Sequence, residues 1–293
     1  MSIIHYIKIN KEVDFESLEK EIKKRLGDVE CEQRGDDIFY FWLPEKSTRG
    51  VDFTFETESW IEIRNTIASN QADYLLTNHL AEVFCQLFDG KIYKDNDDFE
   101  EDFDAPEDQF IEDSLPVFEQ KKVENTILED CKLIRVLINN GEAPITIFGP
   151  TRKVHFGDTL MKKWEERTPE ALAIEMEQMI LTINYQFPEY EYGNIMELSR
   201  DENNKKIIKL LTNNACVIDK YDYIILNKPN ADDAEKIEDF TFITNDDLLE
   251  ILPETWKPLD EYQILAPELT MEEFEMLKQK ALNYNRLAEI YQA

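Results

Sequence analysis

Apolar positions alternate along residues 3–9. Ile3, His5, Ile7 and Ile9 fall on one side and Ile4 and Tyr6 on the other, the pattern of a strand covered on both faces. The period then changes. Phe15, Leu18, Ile22 and Leu26 recur at three- and four-residue steps, so a helix is expected from an Asp14 cap to Leu26, with Gly27 as its stop. Residues 37–43, rich in Phe, Tyr and Trp and closed by Pro44, read as a strand. Residues 51–67 alternate again, with a break at 57–59 that makes them two strands or one bent strand. A long helical pattern follows a Ser69 or Asn70 cap, through Ala72, Leu75, Leu76, His79, Leu80, Val83, Phe84, Leu87 and Phe88, and ends at Gly90. Residues 91–94 suit a short closing strand.

The second half mixes the two periods. After residues 117–123, the apolar run 131–138, the turn Asn139-Asn140-Gly141 and the run 145–148 read together as a hairpin. Gly149-Pro150 marks another turn before a strand at 153–156. Asp158 is expected to cap a helix through Trp164, and Thr168-Pro169-Glu170 to open another that carries Leu172, Met176, Met179, Ile180 and Ile183. Residues 194–198 and 205–211 fit either helix or strand. Residues 216–218 and 221–226 read as strands around Asp219-Lys220, residues 231–239 as a charged loop, and residues 240–243 as a strand. Thr244 with Asp247 begins a helix over 246–251. Thr270 with Glu273 forms a capping box for a final helix reaching Tyr291.

Strands separated by helices and hairpins make an α+β protein with mixed or antiparallel sheets. Charge suggests where it divides. The chain of 293 residues carries a net charge of −31, and residues 95–113 hold eleven acidic and no basic side chains. Like charges at that density oppose compaction, so the expected organisation is an α+β domain over 1–94, an acidic linker or docking segment over 95–113, and a second α+β domain over 114–293.

The same charge narrows the partners. It repels phosphate backbones and anionic lipid, so neither nucleic acid nor a membrane is expected; it admits a basic protein, and it favours a monomer. Cys31, Cys85, Cys131 and Cys216 stand singly, without the close spacing of a zinc site or a disulfide scaffold, and read as buried thiols in a reducing compartment. The first residues lack the basic flank and apolar core of a signal peptide, and no apolar run is long enough to span a bilayer. A cytoplasmic location is the expectation.

Candidate chemistry is sparse. No nucleotide-binding glycine loop, nucleophile elbow or cofactor signature occurs, and no cofactor is expected. His5 and His79 sit among apolar neighbours and read as core histidines. In Gly149–Gly157 two glycines frame Arg152, Lys153 and His155 ahead of a helix, an arrangement of donors and cations suited to a phosphate or carboxylate. In the acidic run, Asp98, Phe99, Asp102 and Phe103 interleave carboxylates with aromatic rings and are candidates for contact with a partner. The run is no EF-hand, because Phe99, Glu100 and Pro106 occupy positions that need a ligand, a glycine and a glutamate.

The expected function is a non-enzymatic binding protein whose acidic surface meets a basic macromolecule. In composition alone the chain resembles the neutralising partners of bacterial toxins, acidic α+β proteins that cover a basic active site. Two alternatives stand beside it: an enzyme or sensor that binds an anionic small molecule at Arg152, Lys153 and His155, and a protein whose acidity serves solubility.

Overall fold

The computed structural model describes residues 3–11, 15–95, 110–142, 144–192, 195–199, 205–226 and 240–292. The fold is α+β, and the chain divides into two compact units, Met1–Phe187 and Pro188–Ala293.

The first unit is built on a seven-stranded antiparallel sheet. Its strands are β1 (Ile3–Lys8), β2 (Glu30–Gln33), β3 (Ile38–Trp42), β4 (Val51–Phe55), β5 (Trp60–Asn65), β6 (Lys91–Asp95) and β7 (Phe110–Glu112), in the order β2-β3-β4-β5-β1-β6-β7. Helices α1 (Phe15–Leu26) and α2 (Gln71–Phe88) cover one face. β1 lies between β5 and β6 and opposes both, Ile7 facing Ile61 on one side and Ile92 on the other. β5 and β6 therefore run parallel to each other, and α2 is the crossover between them.

Alternation decides which residues meet the helices. Ile7, Phe41, Phe53, Ile61 and Ile63 point inward against Leu76, Leu80 and Phe84 of α2, with the Phe53 and Phe84 rings stacked at 4.7 Å. The opposite face buries a smaller group, Tyr6, Trp60 and Tyr93. Glu30–Gln33 shows no strong apolar alternation, and this strand escapes a sequence reading; it forms at the sheet edge by pairing with the aromatic strand β3.

α2 is positioned at its start by one carboxylate. Asn70 caps it and Asp73 returns the bond, completing a capping box. Asp73 is fully buried and also accepts from the Thr48 hydroxyl at 2.9 Å, the Arg49 N–H at 3.0 Å and the Gly50 N–H at 2.9 Å. Gly50 is required there: its φ is +63°, and a Cβ would stand 2.6 Å from the Phe41 carbonyl and the Tyr40 hydroxyl. The far end of α2 closes on Asp89, in the left-handed region at φ 52°, one residue before the expected Gly90. Gly90 serves a different need, since a Cβ there would lie 3.0 Å from the Lys8 carbonyl.

The two units divide at Phe187–Pro188, and the acidic run falls within the first. The acidic run lies between β6 and β7, which are paired neighbours in one sheet, Tyr93 facing Glu112. The first unit continues through α3 (Gln120–Asn139), β8 (Ile145–Phe148), β9 (Lys153–Phe156), α4 (Asp158–Lys163) and α5 (Pro169–Tyr185), with α3 packed on α2 and α5. A dense charge run separates two strands of a sheet as readily as two domains, so it does not by itself mark a boundary.

The expected hairpin of residues 131–138 with 145–148 is also corrected. The first run belongs to α3, where Cys131, Ile134 and Ile138 are buried at helical spacing while Leu133 and Val136 are exposed. Its β-branched residues imitate a strand; the true partner of β8 is β9. α4 is capped by Gly157, with Asp158 as its first residue, and Thr168 caps α5 with Pro169 at its first position.

The second unit contains a four-stranded mixed sheet, β10 (Ile195–Ser199), β11 (Lys205–Leu211), β13 (Tyr223–Leu226) and β14 (Phe242–Ile243), in which β11 and β13 run parallel. A three-stranded antiparallel sheet orders β12 (Cys216–Ile218), β16 (Ile264–Ala266) and β15 (Lys257–Pro258). β12 and β13, neighbours in sequence, thus belong to different sheets. Helices α6 (Asn245–Glu250) and α7 (Met271–Ala281) complete a core of Ile218, Ile224, Ile243, Leu248, Trp256 and Phe274. Capping boxes Thr244/Asp247 and Thr270/Glu273 start both helices, as their spacing predicts.

The final helix is shorter than its pattern. α7 passes into a 3-10 turn at Leu282–Tyr284 and breaks at Asn285, whose side chain accepts from the N–H groups of Phe242 and Leu287; α8 (Leu287–Gln292) follows. The charged loop expected at 231–239 lies outside the described residues. Among the described residues no helix is long and apolar enough to cross a membrane.

Candidate functional site

The residues read from sequence as an anion site have local protein partners of their own. Arg152 is buried, and its guanidinium donates to the carbonyls of Ile183, at 3.0 Å, and Phe187, where α5 ends. Its N–H and that of Thr151 both reach Asn184 Oδ1 at 2.9 Å, and the Thr151 hydroxyl donates to the Asn184 carbonyl at 2.5 Å. The β8–β9 turn is thereby clamped to the negative end of a helix, which a cation complements. Gly149 permits the approach, because a Cβ there would lie 2.3 Å from Asn184 Nδ2. His155 is buried elsewhere on the hairpin, its Nδ1 2.9 Å from the hydroxyl of Thr146, its cross-strand partner. Lys153 is half-buried on β9.

Asp98, Phe99, Asp102 and Phe103 lie outside the described residues. The four cysteines are free thiols, Cys131 and Cys216 buried and Cys31 and Cys85 partly so. No group of three or more His, Cys, Asp or Glu side chains is placed to hold a metal ion among the described residues.

His5 and His79 have different surroundings. His5 is 7% exposed, its ring set edge-on to Phe118 at 5.1 Å and its Nε2 3.9 Å from Asp113. Burial dominates its titration and holds it down to about 4 despite the nearby Asp113 carboxylate. Its Nδ1 has no hydrogen-bond partner among the described residues. His79, expected in the core, is exposed and lines a recess.

That recess, about 430 Å³, lies between the outer side of α2 and the segment 115–118. Leu75 and His79 of α2 form one wall, Leu115, Pro116 and Phe118 the other, and Glu82 stands at its edge. The segment is fastened to α2 by Asn78, which donates to the Phe118 carbonyl at 3.0 Å and accepts the Phe118 N–H at 2.9 Å. Leu75 is 49% exposed and Leu115 42%, so two large apolar side chains here face solvent. The site is concave, lined by Leu75, Leu115, Pro116 and Phe118 with Glu82 as its carboxylate, and it can seat an apolar side chain that carries a cation beside it.

Sequence reasoning assigned Leu75 and His79 to a single apolar stripe with Leu76 and Leu80. The signal it passed over is the width of that stripe: apolar residues at both Leu75 and Leu76 exceed what one sheet-facing side accommodates, so one of them faces another surface.

Comparison of the chain with known protein families, with curated proteins and with solved structures gives no match in any of the three.

Proposed function

We propose that this protein is a non-enzymatic interaction protein that binds a positively charged protein, in the manner of a neutralising partner. One observation carries the reading: a largely apolar recess with Glu82 in its lining, on a chain whose net charge is −31. The overall charge draws a basic partner from a distance, and the recess gives that encounter a fixed register through apolar burial. Affinity of this kind divides into a salt-sensitive association and a dissociation set by the seated apolar group.

Capture experiments on the immobilised chain test it. The expected partner is basic, is released as salt rises to about 0.5 M, and is lost when Leu75→Asp places a charge in the recess. Leu75 is exposed, so this variant is expected to keep its stability within about 0.5 kcal/mol. A partner that is not basic, or that Leu75→Asp still binds, would overturn the proposal.

A further inference from the structure

The second unit holds a nucleophile that the partner-binding reading leaves unused. Lys209 lies in β11, an inner strand, between Ile195 of β10 and Ile224 of β13. It is 1% exposed, an unusual burial for an ammonium-bearing side chain. Its Nζ donates to the Tyr192 carbonyl at 2.7 Å, and among the described residues this is its one acceptor, with no carboxylate in ion-pair range. One carbonyl satisfies one N–H; an ammonium brings three.

Cys216, 7% exposed and a free thiol, stands nearby at the start of β12. Both residues line a recess of about 290 Å³, together with Glu191, Thr212 and Asn214 as polar residues and Leu210 and Ala215 as apolar ones. Burial is the leading influence on each titration, pushing the Lys209 amine down and the Cys216 thiol up. Each opposes the other's shift by charge, and in each case burial is the larger cause. Burial thus shifts both groups in the direction of their neutral forms.

A buried amine held by a single carbonyl beside a recess has a characteristic reactivity. Burial lowers its titration, so its lone pair is free for a larger share of the time than that of a surface lysine. We propose that Lys209 is a carbonyl-capturing site, at which a small aldehyde or 2-oxo acid enters the recess and forms an imine with Nζ. The nitrogen adds to the carbonyl carbon and a C–N bond forms. The nitrogen proton passes to the former carbonyl oxygen, and the carbinolamine then loses that oxygen as one molecule of water, leaving C=N. No electrons are exchanged with any other species. Glu191 is the carboxylate-bearing residue of the lining, and in this proposal it relays the proton during dehydration while Thr212 and Asn214 hydrogen-bond a second oxygen of the ligand. The site belongs to the second unit and is independent of the recess beside α2.

The full chain is tested with acetaldehyde and with glyoxylate at pH 7, each with cyanoborohydride to fix any imine, and the modified lysines are located by peptide mass spectrometry at early times. Lys209 is expected to react about tenfold faster than the average lysine of the chain, and Lys209→Met to remove that adduct alone. Should Lys209→Met fail to fold, the distribution of label in the unaltered protein still decides the matter. Cys216→Ser is expected to keep the adduct. Labelling confined to surface lysines, or protection of Lys209 by acetate as effective as that by glyoxylate, would overturn the assignment.

Discussion

Asp73 accepts the backbone N–H of Gly50 at 2.9 Å, across 23 residues of chain, and in doing so fixes the loop before β4 to the first turn of α2. The same carboxylate holds Thr48, Arg49 and Asn70, so four donors depend on one buried side chain. Asp73→Asn keeps the volume but presents an NH₂ to donors. The expected loss is about 3 kcal/mol or more in urea unfolding. A loss under about 1 kcal/mol would show that the loop holds without this anchor.

Arg152→Met tests the assignment of that guanidinium to the end of α5. Removing it takes one donor from the carbonyl of the buried Ile183 and one from that of Phe187. A destabilisation of about 2–4 kcal/mol is expected, read as a lowered denaturant midpoint. Unchanged stability would release Arg152 from this role and return it to consideration as a ligand contact.

His5 makes stability depend on pH. Its folded value, held by burial near 4, lies below the ordinary 6.5, so the unfolded chain binds the proton more readily between these values. Stability therefore falls as pH drops from about 6.5 toward 4, by about 3 kcal/mol in all. Asp113 and Lys94 act on the same ring in opposite directions. His5→Asn is expected to flatten this part of the profile, and an unchanged slope in that variant would assign the effect to other groups.

Asp247 produces a second, more acidic effect. Arg286 grips it through two bonds of 2.9 and 2.7 Å, and this pairing, ahead of the Thr244 contacts, holds its carboxyl down to about 2. The stabilisation is present above pH 4 and is lost as pH falls through 2. Arg286→Met should bring the folded value back toward the unfolded one, so the loss between pH 4 and 2 shrinks and the second unit is less stable above pH 4. Thr244→Ala, which removes the cap but leaves the pair, should cost about 1 kcal/mol at all pH values above 4.

Local rules were legible wherever a residue's neighbours in sequence decide its conformation. Thr244 with Asp247 and Thr270 with Glu273 satisfy backbone donors within one turn, and both boxes form as spaced. The strands on either side of residues 57–59 follow from alternation alone. Failures arose where a distant partner decides. Residues 131–138 contain enough β-branched side chains to suit a strand, but Cys131, Ile134 and Ile138 meet their burial only on a helix. The cation in Arg152 could be seen, while its destination, carbonyls more than thirty residues later, could not.

Lys209 illustrates a partial signal. In a strand it shares a face with Leu211, which is fully buried, so a lysine occupies a position where an apolar residue is expected. Until 205–211 is fixed as a strand, that conflict has no meaning. The recess beside α2 was hidden for a related reason: its second wall comes from residues 115–118, whose proximity to α2 rests on the Asn78 clasp.

The central place of β1 in the first sheet has a consequence for biosynthesis. The ribosome releases Ile3–Lys8 long before the strands that flank it, since Ile3 pairs with Asn65 and His5 with Lys94. Through that interval the strand has two bare hydrogen-bonding edges and a row of isoleucines, the combination most prone to pair with a wrong chain. A nascent chain stalled before residue 91 would retain one of those edges open, so the emergence of β6 is the event that removes the hazard.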